Sequence, residues 1–165
     1  MGSLVRTTWR EILVAFLFLA AGSSSGTAVA DPPADQDYTG SKRCASCHFE
    51  QFMAWKKTKH AEAFKNMPDK YKTDPACLKC HTTGYGQPSG FKDLASTPNL
   101  AGNTCETCHG PGSEHEKISQ KYAKKKLTAA EEKEVRDSIW LILPTNICIE
   151  CHVTKAHKAH EKYEE

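Results

Sequence analysis

All the cysteines of this chain are spent on one short pattern, used four times. The copies are Cys44-Ala45-Ser46-Cys47-His48, Cys77-Leu78-Lys79-Cys80-His81, Cys105-Glu106-Thr107-Cys108-His109 and Cys148-Ile149-Glu150-Cys151-His152. The sequence holds 8 cysteines, and every one lies inside a copy. Two thiols three positions apart can reach both vinyl groups of one porphyrin and form two thioether bonds. The histidine after the second cysteine then lies over the iron and ligates it through an imidazole nitrogen. The pattern predicts four covalently bound haem c groups. Cys44, Cys47, Cys77, Cys80, Cys105, Cys108, Cys148 and Cys151 form the thioethers, and His48, His81, His109 and His152 are the proximal iron ligands. Two Cys₄ zinc sites would use the thiols but leave the four histidines unexplained. Disulfides leave the same residue of unexplained histidines. A thioredoxin-like motif comes singly on a βαβ unit, a pattern this sequence lacks.

Arg6 and Arg10 precede an apolar run from Ile12 to Ala21, followed by a Gly/Ser-rich stretch and Ala28-Val29-Ala30. A basic start, a short apolar middle and a small-residue site read as a signal peptide over residues 1–30, cleaved after Ala30. The run is too short for a bilayer core of about 30 Å, so no stable membrane span is expected after its removal. Export to the periplasm agrees with haem c attachment, which occurs outside the bacterial cytoplasm. The formal charge of +2 falls close to neutrality without the leader, and nothing points to nucleic acid. Lys121, Lys124, Lys125 and Lys126 form either a solvated face or a docking patch for an acidic redox partner.

The chain without residues 1–30 offers about 34 residues for each haem. So thin a shell cannot bury four porphyrins in separate cores. The haems must pack against one another and replace much of the side-chain core. The expected fold is mostly α with irregular loops, a small multihaem cytochrome c fold organised around four stacked haems. Haems held that close exchange electrons among themselves.

Residues 31–40, with Pro32 and Pro33, read as a flexible arm ahead of a tetrahaem domain over 41–165. A helix is expected from about Cys44 to Asn66, ended by Pro68. The second motif should sit on a short helical turn after Pro75. Gly84, Gly86, Pro88 and Gly90 mark an irregular loop, and residues 92–104 read as coil. Gly110-Pro111-Gly112 should stop the third motif's turn. Thr128 with Glu131 forms a capping box for a helix from about Ala129 to Leu141. The fourth motif and the tail from Val153 to Tyr163 read as helical and polar. No strand is expected.

The motifs use four of the 8 histidines, leaving His60, His115, His157 and His160 as candidate distal iron ligands. On a continuous helix His48 and His60 would be roughly 18 Å apart, so His60 must reach a different haem from His48. His115 follows His109 too closely to pass around one porphyrin, and so serves another haem. His157 and His160 share a helical face and could ligate a haem of this chain or of a neighbouring subunit, which would make the protein a homo-oligomer. Met53 reads as packing and Met67 as a loop residue. Histidine rather than methionine ligands lower the potentials.

The segments Gly40–Trp55 and Thr58-Lys59-His60-Ala61, Cys80–Gly86 and Cys105-Glu106-Thr107-Cys108-His109-Gly110-Pro111-Gly112 resemble the tetrahaem cytochrome c-554 family of ammonia-oxidising bacteria. The resemblance, with the fourth motif, covers roughly residues 40–152. It implies that His60 pairs with His109 and His115 with His48. It also implies an iron at His81 without a distal protein ligand, hydroxylamine oxidoreductase as electron donor, and a nitric oxide reductase activity proposed for the open haem. Family members continue well beyond the fourth motif and draw the fourth haem's distal histidine from that extension. This sequence runs from His152 only to Glu165, so His157, His160, a second subunit or an open site must fill that role.

Three functions are compatible with these features. The first, and the one favoured, is an electron carrier or relay between redox partner proteins, with no catalytic residues of its own. The second is a small haem enzyme that reduces nitric oxide or a related nitrogen ligand at an open iron. The third is a subunit of an assembled haem conduit. An enzyme would need proton donors beside an open iron, and only Thr82, Thr83 and Tyr85 follow His81 closely.

Overall fold

A computed structural model describes residues 31–140 and 147–152. Among the described residues there are seven short helices: α1 (Ser41–Cys44), α2 (Phe49–Trp55), α3 (Pro75–His81), α4 (Cys105–His109), α5 (Ser113–Lys121), α6 (Ala129–Asp137) and α7 (Ile147–Cys151). Single 3₁₀ turns lie at His60–Glu62, Asp69–Tyr71 and Pro98–Leu100. Among the described residues there is no strand, only an isolated antiparallel bridge between Thr82 and Ala101. The expected helical and irregular class is the observed one.

Local chemistry explains where the helices begin and end. Asp74 caps α3 by accepting from Ala76 N–H at 2.9 Å, with Pro75 in the first turn, where its missing N–H is harmless. Thr104 caps α4 through Glu106 N–H. The capping box at Thr128 is present in full, with Glu131 returning a bond to the Thr128 N–H at 2.9 Å. Gly110 closes α4 at φ +79, a positive-φ conformation that favours glycine. A Cβ there would strike the Trp140 ring.

The single helix expected over 44–66 is instead broken into pieces. The Thr58 N–H and hydroxyl both bond to the Trp55 carbonyl, at 2.8 and 2.7 Å. A side chain that competes locally for the last carbonyl ends the helix before Pro68 can. A 3₁₀ turn then presents His60 on its own. Helix α6 likewise stops at Asp137, short of Leu141. Residues 92–104 contain the 3₁₀ turn at Pro98–Leu100. The expected helical tail beyond Val153 lies outside the described residues.

The buried apolar core comprises Phe64, Met67, Cys77, Leu78, Phe91 and Leu100, gathered around the second motif. Phe64 and Phe91 tilt against one another with ring centroids 5.3 Å apart. Met67 is thus a loop residue that is also core. Six such residues are far too few for a chain of this length to bury the usual fraction of its surface. Meanwhile Phe49 is 63% exposed beside the first motif and Ile149 60% exposed inside the fourth. Apolar surface lies open where porphyrins would cover it.

The inner end of the arm is anchored. Asp37 N–H donates to Ser113 Oγ at 2.9 Å, and Tyr38 N–H to Ser89 Oγ at 3.1 Å. Helices α5 and α6 pack together, and the lysine cluster lies on their seam. Lys121 pairs with Glu134 at 3.5 Å and Lys125 with Glu131 at 2.6 Å. Half of the cluster is therefore neutralised within the molecule.

Candidate haem sites

The cysteine thiols mark where the thioether sulfurs sit, and their contacts show how the motifs are arranged. Cys44 of the first motif and Cys105 of the third share a hydrogen bond. Cys80 of the second and Cys151 of the fourth share another. Cys108 of the third feels the charge of Cys148 of the fourth. The four motifs thus form a chain of neighbours in the order first, third, fourth, second. In the thiol form, the bond from Cys44 lowers Cys105 to about 7, while burial and the Cys80 bond push Cys151 up to about 12. None of the eight cysteines is in a disulfide.

The histidines arrange themselves across the motifs. His115, on α5, faces His48 with ring centroids 6.2 Å apart and planes only 19° from parallel. Its Nδ1–H donates to the Val135 carbonyl at 3.0 Å, with Ser138 Oγ at 3.1 Å. Helix α6 therefore fixes the ring and leaves Nε2 free to ligate. Burial lowers the proton affinity of His115, opposed by the Val135 bond, and favours the neutral ring that a metal requires.

His60 faces His152. Their Nε2 atoms are 3.5 Å apart, and their ring centroids 5.8 Å. Metal–imidazole bonds of about 2 Å would separate two trans nitrogens by about 4 Å, so both pairs are spaced to receive one iron each. The expected pairing of His60 with His109 is corrected: the neighbour is His152. The reason is local. His60 O accepts from Asn103 N–H at 3.0 Å, and Trp55 Nε1–H donates to Asn103 O at 2.8 Å. These bonds hold the His60 turn against the segment before α4, with its ring turned to the fourth motif. The exclusions of His48 for His60 and of His109 for His115 agree with these placements.

His81 donates from Nδ1 to the Ala63 carbonyl at 2.9 Å, which leaves Nε2 for iron. The loop beyond it is locked. Thr82 Oγ1 donates to the Leu78 carbonyl at 2.7 Å. Thr83 is fully buried; its hydroxyl donates to the Gly102 carbonyl at 2.8 Å and accepts from Thr104 N–H at 3.0 Å, with Thr107 Oγ1 at 2.9 Å. Both hydroxyls serve the scaffold. His157 and His160 lie outside the described residues.

Sequence reasoning missed two features of this region. One is the Thr83 hub, which ties the second motif to the third. The other is Glu106, a buried carboxylate within the third motif. No sequence signal set it apart, since Lys79 and Glu150, charged residues inside the second and fourth motifs, are exposed.

The residues present fit four haems c. The cysteines are not in disulfides, four histidines stand in two facing pairs, and apolar side chains beside the motifs lie open. Residues 43–110 match the family described as cytochrome c554 and c-prime. Cytochrome c-554 of Nitrosomonas europaea is 34% identical over 134 residues, a match covering 69% of this chain and 57% of that protein. The chain thus spans little more than half the length of this relative. The reduced state of cytochrome c554 from Nitrosomonas europaea has a similar fold, with a TM-score of 0.56, 27% identity, and coverage of 79% of this chain and 80% of that one. Four covalently bound haem c groups are the cofactors, and over residues 43–110 the chain is similar to the cytochrome c554 and c-prime family.

Proposed function

We propose that this chain is an exported electron-transfer protein that relays electrons through its four haems between redox partner proteins. The observation that carries this reading is the chain of motif contacts, Cys44 to Cys105, Cys108 to Cys148 and Cys151 to Cys80. Neighbouring thioether sulfurs would hold the haems close to one another, giving an electron that enters at one haem a path to the others. When bound, the haems supply one-electron chemistry. The protein's own residues ligate, orient and insulate them. His48 with His115 and His60 with His152 act as bis-histidine ligand pairs, and His81 and His109 as proximal ligands. Helix α6 orients His115, and Ala63 orients His81.

The relay is favoured over reduction of a nitrogen ligand at His81 because Thr82 and Thr83 hold their hydroxyl protons in backbone bonds. Residues 1–30 act as the signal peptide, residues 41–165 as the haem domain, and the periplasm is the place of work. Among the described residues no helix is long and apolar enough to cross a membrane.

Stopped-flow reduction of the holoprotein, followed by mixing with an artificial acceptor, tests the relay. All four haems should fill and empty as one connected pool. A haem that stays redox-isolated for seconds would refute it. Sequencing of the protein recovered from the periplasm should begin at Asp31.

A further inference from the structure

Glu106 is 3% exposed, and its carboxylate accepts from donors on both oxygens. Oε1 accepts from Thr39 N–H at 2.8 Å, Gly112 N–H at 2.8 Å and Thr39 Oγ1–H at 3.3 Å. Oε2 accepts from Gly40 N–H at 2.7 Å. Donors alone converge on both oxygens. Among the described residues no lysine or arginine pairs with it. The carboxylate is therefore held by neutral dipoles. It adjoins Cys105 in the third motif, and Gly40, which donates to it, also accepts from Cys44 Sγ–H of the first motif at 3.9 Å.

We propose that Glu106 lowers the reduction potentials of the haems ligated by His48 and His109. This deepens the relay reading and rests on it. One electron from a redox partner converts ferric to ferrous iron and makes or breaks no bond. That step removes a unit of positive charge, so a fixed anion nearby opposes it. In a low-dielectric site the opposition is much stronger than in water. The carboxylate touches no iron; it is a positioning and field-setting residue. Its geometry also explains the anchored arm, because Thr39, Gly40 and Gly112 are drawn from both sides onto one side chain. Gly40, at φ +84, can turn its N–H inward only because it has no Cβ, and one there would strike Asn99.

Potentiometric titration of holoprotein carrying Glu106→Gln tests the assignment. Two of the four reduction steps should rise and two should stay in place, while the low-spin resonance signals persist. A purely structural role predicts the opposite sign, because loosening admits water, and water favours the more highly charged ferric haem. Unchanged potentials, falling potentials, or an equal rise of all four would overturn the proposal. Thr39→Val is the second variant. It removes the hydroxyl donor but keeps the backbone bonds, so the anion is less neutralised and the same two steps should fall. Steps that do not move, or that rise, count against the proposal even if the glutamine variant yields no holoprotein. Wild-type protein that failed to take up four electrons would instead sink the relay reading, so the two failures are distinguishable.

Discussion

Replacing His60 by alanine is the sharpest perturbation of the ligand arrangement. Its Nε2 stands 3.5 Å from that of His152, so His60→Ala removes one of two imidazoles aimed at a single iron. Nothing else in the His60 turn needs the ring. The backbone carbonyl still accepts from Asn103 N–H, and Trp55 still anchors Asn103, so the fold should survive. The expected magnitude is discrete. One haem of the four should pass from low to high spin, about a quarter of the total iron, as a protein carrying haem c at each motif requires. Electron paramagnetic resonance of the oxidised protein reads this directly. A second background identifies the haem. With Cys148→Ala and Cys151→Ala the fourth haem is absent, and adding His60→Ala should then produce no further high-spin iron. If a high-spin signal still grows in that background, His60 serves another haem, and the pairing read from the imidazole geometry is wrong.

Three further outcomes follow from other parts of the fold. Thr128→Ala removes the capping box of α6 and should cost about 1 kcal/mol in denaturant unfolding of the holoprotein; because α6 holds His115, the His48 haem should be the first to lose its low-spin signal under mild denaturation. Thr83→Val leaves the Gly102 carbonyl and the Thr104 N–H without their buried partner and should cost about 1–3 kcal/mol by the same measurement. In haem-free protein, Cys105 titrates at about 7 and Cys151 at about 12, so the thiolate of Cys105 forms first as pH rises. Mass-mapped iodoacetamide labelling across pH 6 to 9 should therefore modify Cys105 with a midpoint near 7 and leave Cys151 little changed.

Features that depend on neighbouring residues were legible in the sequence. The motifs, the Thr128 capping box, the Gly110 stop and the absence of strands all follow from a few adjacent side chains. The helix from which His60 and His48 were assigned to different haems is itself broken at Thr58. The identity of the partner was not legible. Whether His60 meets His109 or His152 depends on where Asn103 holds the 3₁₀ turn, a contact between segments more than forty residues apart. The lysine cluster read as a solvated face or a docking patch because Glu131 and Glu134 pair with it only once α5 and α6 pack. Glu106 was not singled out, because only the fold brings Thr39, Gly40 and Gly112 around it.

The six-residue apolar core around the second motif has a bearing on how the chain is made and lost. A ligand held by equilibrium stabilises its protein only as far as its free concentration allows. Thioether bonds remove that dependence: once the porphyrins are attached, dilution cannot strip away the larger part of the interior. Before attachment the same chain has Phe64, Leu78, Phe91 and Leu100 to hold it, and Phe49 and Ile149 exposed to any protease or partner that recognises unfolded chains. Haem supply then acts as a one-way checkpoint, separating chains that persist from chains that are cleared.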